Sequence, residues 1–255
     1  MSQQLGRTHP CGRYRYLRGG PPYSSGVAAE PGYRIDRVQF DRLVLWRDGF
    51  DRIDRYLSDQ GEPLEAVCAI ELRCPSPYSI DGFASYNEAY CDVLQSWGVF
   101  DGDLNPIART NVAPSTLPPD VQAMYAFSVA VQDSDGRDAP SFVIAGGGEV
   151  SSARLTSEAI IRCGETSEDA IGEKAAYVID LMAKRLEGLG LVWDDVRETN
   201  VYTVHPIDRV VVPVLLPRMG RSSVHGILQI PSRPPVVDIE FEMDLRGVAR
   251  QVVIS

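Results

Sequence analysis

The chain has 255 residues, and its 25 lysines and arginines against 35 aspartates and glutamates give a formal net charge of −10 at pH 7. Hydrophobic residues make up 44% of the chain and charged residues 24%, which excludes intrinsic disorder as its overall class. The acidic balance disfavours binding to a phosphate backbone, so we expect no nucleic-acid partner.

In chain order, hydrophobic periodicity and turn residues predict alternating helices and strands. The predicted elements are a helix at 43–57, a strand at 66–72, a helix at 80–97, strands at 105–112, 124–131 and 141–145, a helix at 171–189, and strands at 196–204 and 236–245. The first helix ends at Gly61 and the third at Gly190, with Thr166 as a candidate N-cap of the third.

The helix-turn-strand pattern occurs twice, since Gly61 and Gly190 lie 129 residues apart and each is followed by a turn and a strand. The residues 221–224 align with the strand at 105–112, and the second copy is shorter in between. We therefore predict an α+β protein of two tandem modules, each a mixed β-sheet with helices packed on one face. Module 1 covers residues 1–132, a linker covers 133–140, and module 2 covers 141–255 with its second helix shortened.

Several classes of site and location are disfavoured. The longest strongly apolar run, 210–216, contains Pro213 and is far shorter than the roughly 20 residues of a membrane span. The amino terminus lacks a signal-peptide pattern, so we expect a cytoplasmic protein with no membrane partner.

Five cysteines and three histidines show no metal-ligand spacing, and the glycines at 146–148 lack nucleotide-binding spacing and indicate a turn. We expect neither a metal nor a cofactor.

Four short motifs carry a family resemblance. They are PYSSGV at 22–27, FASYNEAY at 83–90, NPIART at 105–110 and VDIE at 237–240. In this order they resemble the RidA/YjgF family of enamine and imine deaminases, present as a tandem fusion. The resemblance implies a chorismate-mutase-like fold in each module and a trimeric arrangement with ligand clefts between modules, so we expect a homo-oligomer.

The resemblance also implies catalytic residues. Arg109 and Arg221 match the family's carboxylate-binding arginine, and a guanidinium can bind a carboxylate bidentately. Asp238 falls where the family has its water-orienting glutamate, and Glu240 lies two residues on, on the same strand face. We predict Arg221, Asp238 and Glu240 as catalytic. Surface salt bridges for the arginines and a solvated strand position for Asp238 stay open as alternatives.

The remaining predicted residues would bind substrate together with Arg109. Tyr23 matches a substrate-contacting position, although a core aromatic residue is an equal alternative. Gly146 matches a substrate-facing strand turn, and Asn111 and Ser223 replace the family's cysteine two residues after the arginine. Because the strand at 124–131 has no carboxylate, one composite cleft is favoured over two equivalent ones.

The predicted function is metal-free hydrolytic deamination of small 2-imino, 2-enamino or 2-aminomuconate-like carboxylic acids, giving a 2-keto acid and ammonia. The alternative is a non-catalytic protein of the same fold that binds small carboxylates or serves in assembly. A chorismatase-like hydrolase is a more remote alternative, since chorismatases resemble two fused modules of this type.

Overall fold

The computed structural model describes residues 5–136, 139–152 and 154–255 and has the predicted α+β class. The strands are β1 (Arg7–Thr8), β2 (Tyr14–Leu17), β3 (Gly26–Ala29), β4 (Tyr33–Leu45), β5 (Val67–Arg73), β6 (Ala108–Pro114), β7 (Ala123–Gln132), β8 (Phe142–Gly148), β9 (Glu198–Tyr202), β10 (Leu228–Ile230), β11 (Ser232–Arg233), β12 (Glu242–Gly247) and β13 (Arg250–Ile254). The long helices are α1 (Trp46–Gln60), α2 (Ile80–Ser96) and α3 (Glu168–Gly188). Shorter helical turns lie at Leu64–Ala66, Ser157–Ala159, Trp193–Asp195, Asp208–Val210, Val211–Leu215, Leu216–Met219 and Gly220–His225.

These strands form two mixed sheets that both cross the predicted module boundary. The seven-stranded sheet has the order β1-β2-β3-β8-β12-β9-β10, and the six-stranded sheet has the order β11-β6-β5-β7-β4-β13. Strand β3 precedes the boundary but pairs with β8, whereas β13 follows it but pairs in parallel with β4. Tandem RidA-like modules are therefore not confirmed. The division at 133–140 stays a prediction, and residues 137 and 138 of that linker lie outside the described residues.

Each sheet has one face covered by helices. On the six-stranded sheet, α1 contributes Ile53 and Leu57 and α2 contributes Tyr90 and Leu94 to a buried cluster with Phe127. On the seven-stranded sheet, α3 packs an apolar stripe against β8 and β12; the stripe includes Ile171, Ala175, Val178, Ile179, Met182 and Leu186. The three- and four-residue spacing of these side chains is what places them on one helix face. In the described part of the chain, no helix combines the length and apolarity needed to cross a membrane.

The ends of the helices follow local backbone chemistry. Helix α1 begins at Trp46, later than predicted, because β4 continues to Leu45. It ends before Gly61, whose φ of 70° is a left-handed conformation that glycine adopts without strain. Helix α3 is capped by Ser167 rather than Thr166, since the Ser167 side chain accepts a hydrogen bond from the Ala170 N–H at 3.2 Å.

Three segments differ from the sequence-based prediction. Residues 221–224 lie in the helical turn Gly220–His225 and not in a strand. The closing strand begins only at Glu242, because Asp238 has a φ of 71° and forms a turn. The glycines at 146–148 continue β8 instead of ending it in a turn. These three glycines therefore leave positions without side chains inside the seven-stranded sheet.

The inner faces of the two sheets meet in a layer that is apolar in one part and charged in another. Small and aromatic side chains from both sheets form the apolar part, among them Tyr14, Val27, Ala69, Ala108 and Val143.

In the charged part, Arg37 Nε lies 2.6 Å from Glu71 Oε1, and Arg246 Nη2 lies 3.1 Å from Glu71 Oε2 and 2.9 Å from Asp244 Oδ2. Burial raises the pKa of Glu71, but Arg246 and Arg37 outweigh it and hold the pKa at about 2. This paired network connects β4 and β5 of the six-stranded sheet with β12 of the seven-stranded sheet.

Candidate active site

Arg109 on β6 is a buried arginine without a carboxylate partner in the described residues. Its side chain is only 4% exposed, and it points from β6 towards α2, where its Nη2 donates a hydrogen bond to Asn87 Oδ1 at 2.8 Å. Among the residues that the structure describes, nothing accepts a hydrogen bond from its Nη1. A buried cation that is not neutralised is costly, so the site favours an anionic ligand.

Aromatic rings surround the Arg109 guanidinium. The Arg109 Cζ lies 4.7 Å from the ring centre of Tyr23, 4.8 Å from Tyr90, 5.4 Å from Phe83 and 5.9 Å from Tyr86. The hydroxyls of Tyr86 and Tyr90 are buried, and neither has a hydrogen-bond partner in the described part of the chain. The rings stabilise the cation and supply flat walls for a conjugated ligand.

Asn111 lies on the same face of β6 as Arg109, two residues further on. Its Oδ1 accepts a hydrogen bond from Gln122 Nε2 at 3.1 Å, whereas its Nδ2 is buried without an acceptor among the described residues. Arg109 and Asn111 therefore both hold unused N–H donors along one strand face. Unused buried donors of this kind indicate a place for an acceptor-rich ligand.

Glu242, the first residue of β12, is a second buried ionisable group at this site. It is 5% exposed, and its carboxyl has no hydrogen bond to the residues that the structure describes. The side chain lies over Gly146 of β8, where an added Cβ would collide with Glu242 Oε1. Burial and then the charge of Asp244 raise the Glu242 pKa to about 8, although Arg185 and Arg109 oppose the rise. Glu242 is therefore mostly protonated at neutral pH.

Arg185 reaches the same glycine segment from α3. Its Nη1 donates to the carbonyl oxygen of Ala145 at 2.7 Å and lies 3.3 Å from that of Gly146. A Cβ on Gly147 would lie 2.8 Å from this Nη1, so glycine is needed for the approach. Burial lowers the Arg185 pKa, and Tyr23 and Glu242 oppose that decrease when they are ionised.

Two sets of contacts fix the position of Glu242. The buried Glu149 carboxylate accepts hydrogen bonds from the N–H groups of Glu240 and Phe241 at 2.7 and 3.1 Å, and it pairs with Lys174 Nζ at 3.0 Å. On the other side, Thr110 Oγ1 donates to Asp244 Oδ2 at 2.8 Å and accepts from the Gly146 N–H at 3.0 Å. These contacts hold the first residues of β12 in place, and with them the protonated carboxyl of Glu242.

The structure brings three of the predicted residues to one face of β6. Arg109 packs against Tyr23, and Asn111 lies on the same strand face as Arg109. Gly146, a fourth predicted residue, contacts Thr110 on the opposite face of β6, and Glu242 lies beside it there.

The other four predicted residues lie apart from this group. Arg221 is 91% exposed on the turn Gly220–His225, with Asp194 as its nearest carboxylate at 3.9 Å, and Ser223 is partly buried on the same turn. Asp238 is exposed in a turn. The Glu240 Oε2 lies 2.8 Å from His205 Nε2 and 3.2 Å from Arg233 Nη1. Their predicted roles stay predictions.

Sequence reasoning missed Glu242 and Arg185. Glu242 could have been found from the sequence, because Glu240, Glu242 and Asp244 alternate with apolar residues. Three acidic residues on one face of a strand are unusual in a core. The indication for Arg185 is weaker, since it is a cation between Met182 and Leu186, next to the apolar stripe of a helix.

Solved structures place this architecture in a known fold class. The chain is similar to a chorismatase crystal structure with a TM-score of 0.50 and 12% sequence identity, over 88% of this chain and 77% of that one. A cyanuric acid hydrolase gives a TM-score of 0.44 at 9% identity, over 87% of this chain and 69% of that one. The chorismatase likeness shows the fold alone and carries no activity.

Sequence comparisons then identify the family. The family model "2-aminomuconate deaminase CnbZ" matches residues 7–252. The chain is also 38% identical over 244 residues to the 2-amino-5-chloromuconate deaminase of Comamonas testosteroni, covering 95% of this chain and 96% of that protein. The chain therefore belongs to the 2-aminomuconate deaminase CnbZ family. The prediction that it is an enzyme is confirmed.

The predicted membership of the RidA/YjgF family is wrong. One family model spans both predicted modules as a single unit, and the fold neighbour is a chorismatase. The motifs in the second half misled because the residues 221–224 and 237–240 do not form the strands that the alignment requires. The expected trimeric arrangement depended on that resemblance and has no support without it.

Proposed function

We propose that the chain is a hydrolytic deaminase of 2-aminomuconate-like acids, which releases the 2-keto acid and ammonia. The names of its family and of its relative support this substrate class. The observation that carries the proposal is the presence of Arg109, whose buried Nη1 has no partner among the described residues, within electrostatic reach of Glu242, a buried carboxyl whose pKa is about 8. One group can hold a carboxylate, and the other can give and take a proton near neutral pH.

In the proposed reaction, Arg109 binds a carboxylate of the substrate and the tyrosines pack against its diene. Glu242 donates its proton to C3 of the enamine, and the nitrogen lone pair forms the C2=N bond of an iminium ion. The Glu242 carboxylate then accepts a proton from a water molecule whose oxygen adds to C2. The carbinolamine collapses as its hydroxyl proton moves to nitrogen, the C2–N bond breaks, and ammonia leaves. The balance is one water consumed for each ammonia released.

The test measures ammonia release and loss of the diene absorbance with 2-aminomuconate generated in situ. Arg109→Met should lower kcat/KM by about 10- to 100-fold or more, since a buried charge-assisted contact contributes about 1.5–3 kcal/mol.

Arg221→Met serves as the matched comparison, because it removes one positive charge from an exposed position. It should change kcat/KM by no more than about twofold, as is usual for exposed charges. The reverse order of effects, with Arg221→Met inactive and Arg109→Met active, would move the site to the residues that the sequence predicted. Thermal unfolding of both variants checks that they are folded.

A further inference from the structure

Four buried polar atoms between β6 and α2 have no partner in the described part of the chain. They are Arg109 Nη1, Asn111 Nδ2 and the hydroxyl oxygens of Tyr86 and Tyr90. Arg109 and Asn111 occupy successive positions on one face of β6, and the two tyrosines lie one turn apart on α2. Because buried polar groups are normally satisfied, such a group of donors indicates a place for a ligand rich in acceptors. A carboxylate fits, since its two oxygens only accept.

Two further side chains orient the amide of Asn111. The Tyr78 hydroxyl donates a hydrogen bond to Gln122 Oε1 at 2.7 Å, and Gln122 Nε2 donates to Asn111 Oδ1 at 3.1 Å. An amide side chain has one accepting end and one donating end, so the bond to Oδ1 leaves Nδ2 as the free end. This chain of hydrogen bonds therefore ends in an unused donor.

Backbone contacts hold both orienting residues in place. The Tyr78 N–H donates to the carbonyl oxygen of Pro235 at 2.8 Å, and the Tyr78 carbonyl accepts from the Val237 N–H at 3.0 Å. The Gln122 carbonyl accepts from the Trp46 N–H at 3.2 Å, and Gln122 is only 7% exposed. The hydrogen-bond chain thus starts from two immobilised residues.

Aromatic contacts lead from Tyr78 back to Arg109. The Tyr78 ring stacks on the ring of Tyr86, with the centres 5.7 Å apart and the planes 10° apart. The Arg109 Cζ in turn lies 5.9 Å from the Tyr86 ring centre, and β6 joins Arg109 to Asn111. The unpartnered Nη1, Nδ2 and Tyr86 hydroxyl therefore belong to one closed ring of contacts.

We propose that Asn111 Nδ2 donates a hydrogen bond to the substrate carboxylate that Arg109 binds. Gln122 and Tyr78 are positioning residues for this contact. The inference rests on the proposed function, which places a substrate carboxylate on Arg109. Arg109 supplies the charge, and Asn111 supplies a second donor whose direction is fixed before the ligand arrives. Such preorganisation favours binding, because less conformational freedom is lost when the ligand is bound.

Calorimetry with muconate, a six-carbon dicarboxylate diene without an amino group, tests the proposal in a double-mutant cycle. Asn111→Ala should weaken muconate binding about 10- to 100-fold, because it removes a hydrogen bond to a charged group. Gln122→Met should weaken it about 3- to 10-fold in the parent protein but less than about twofold in the Asn111→Ala background, since Gln122 acts through Asn111. Tyr78→Phe should show the same pattern with a smaller effect. Gln95→Met, on the exposed side of α2, is the matched control and should leave the affinity unchanged.

The proposal is overturned if Asn111→Ala leaves the affinity unchanged, as it would if the amide held only ordered water. It is also overturned if Gln122→Met has the same effect in both backgrounds, as a purely structural role would. If Asn111→Ala does not fold, Asn111→Asp replaces it, since aspartate has the same shape but no donor, and unchanged affinity in that variant overturns the proposal equally.

Ammonia release from 2-aminomuconate by the parent protein is measured separately. Normal release without the expected dependence of Gln122→Met on Asn111 rejects this inference alone. That dependence without ammonia release rejects only the proposed function.

Discussion

Replacement of Glu242 by glutamine should stabilise the protein and inactivate it. Glutamine has nearly the same shape as a protonated glutamic acid but cannot transfer a proton. Because general acid and base catalysis contributes about 10²- to 10⁴-fold, kcat should fall by that factor. In the parent, kcat/KM should also fall as pH rises through about 8, since the proton that Glu242 donates is then lost.

The effect on stability follows from the raised pKa. The Glu242 pKa rises from an ordinary 4.5 to about 8 on folding. The folded state therefore holds this proton more tightly than the unfolded state, and stability is full below pH 4.5 and declines until pH reaches about 8. At 1.36 kcal/mol for each pH unit, the decline amounts to about 5 kcal/mol in total and about 4 kcal/mol between pH 5 and pH 9. Glutamine has no charge to bury and does not show this decline.

Urea unfolding of the parent and Glu242→Gln at pH 5 and pH 9 measures the difference. The variant should be close to the parent at pH 5 and more stable at pH 9 by a few kcal/mol. Glu88→Gln on the exposed face of α2 is the matched control and should show neither effect. If Glu242→Gln is equally or less stable than the parent at pH 9, the carboxyl is not held protonated by the fold and the reasoning fails.

Three further predictions concern the surroundings of this carboxyl. Gly146→Ala should displace Glu242 and reduce kcat by more than about 10-fold, whereas Gly172→Ala, at a helical position with open space around it, should add about 0.5–1 kcal/mol of stability and leave kcat unchanged. Lys174→Met should lower the free energy of unfolding by about 3–5 kcal/mol, because it leaves Glu149 buried without a cation, and adding Glu149→Gln should restore part of it. Arg109→Met should leave the urea midpoint unchanged or raised, because it removes a cation that no carboxylate among the described residues balances; a midpoint lowered as far as that of Lys174→Met would contradict this.

Local pattern predicted the helices well because their buried faces repeat along the chain. Ile53 and Leu57 in α1, and Val178 and Met182 in α3, have the spacing that the core requires. The helix at 80–97 was placed to within a residue of α2. Boundaries failed where one element runs directly into another, as β4 runs into α1 at Leu45, since an apolar residue there suits either structure.

Sheet topology was not accessible in the same way. The pairing of β3 with β8 and of β13 with β4 joins residues more than 100 positions apart, and no local periodicity encodes such pairs. For the same reason, only part of the candidate site could be predicted. Arg109 lies on a strand that the sequence located, whereas Glu242 and Arg185 reach it only through tertiary packing.

The consecutive glycines of β8 explain how two ionisable groups approach one strand inside a packed molecule. Successive residues of a strand point to opposite faces of the sheet. Gly146 therefore opens the inner face to Glu242 on β12, and Gly147 opens the outer face to Arg185 on α3. A side chain at Gly146 would displace Glu242, and a side chain at Gly147 would displace Arg185. Glycines weaken the interior of a strand, but here they allow a proton donor and a cation to pack closely against the two opposite faces of β8.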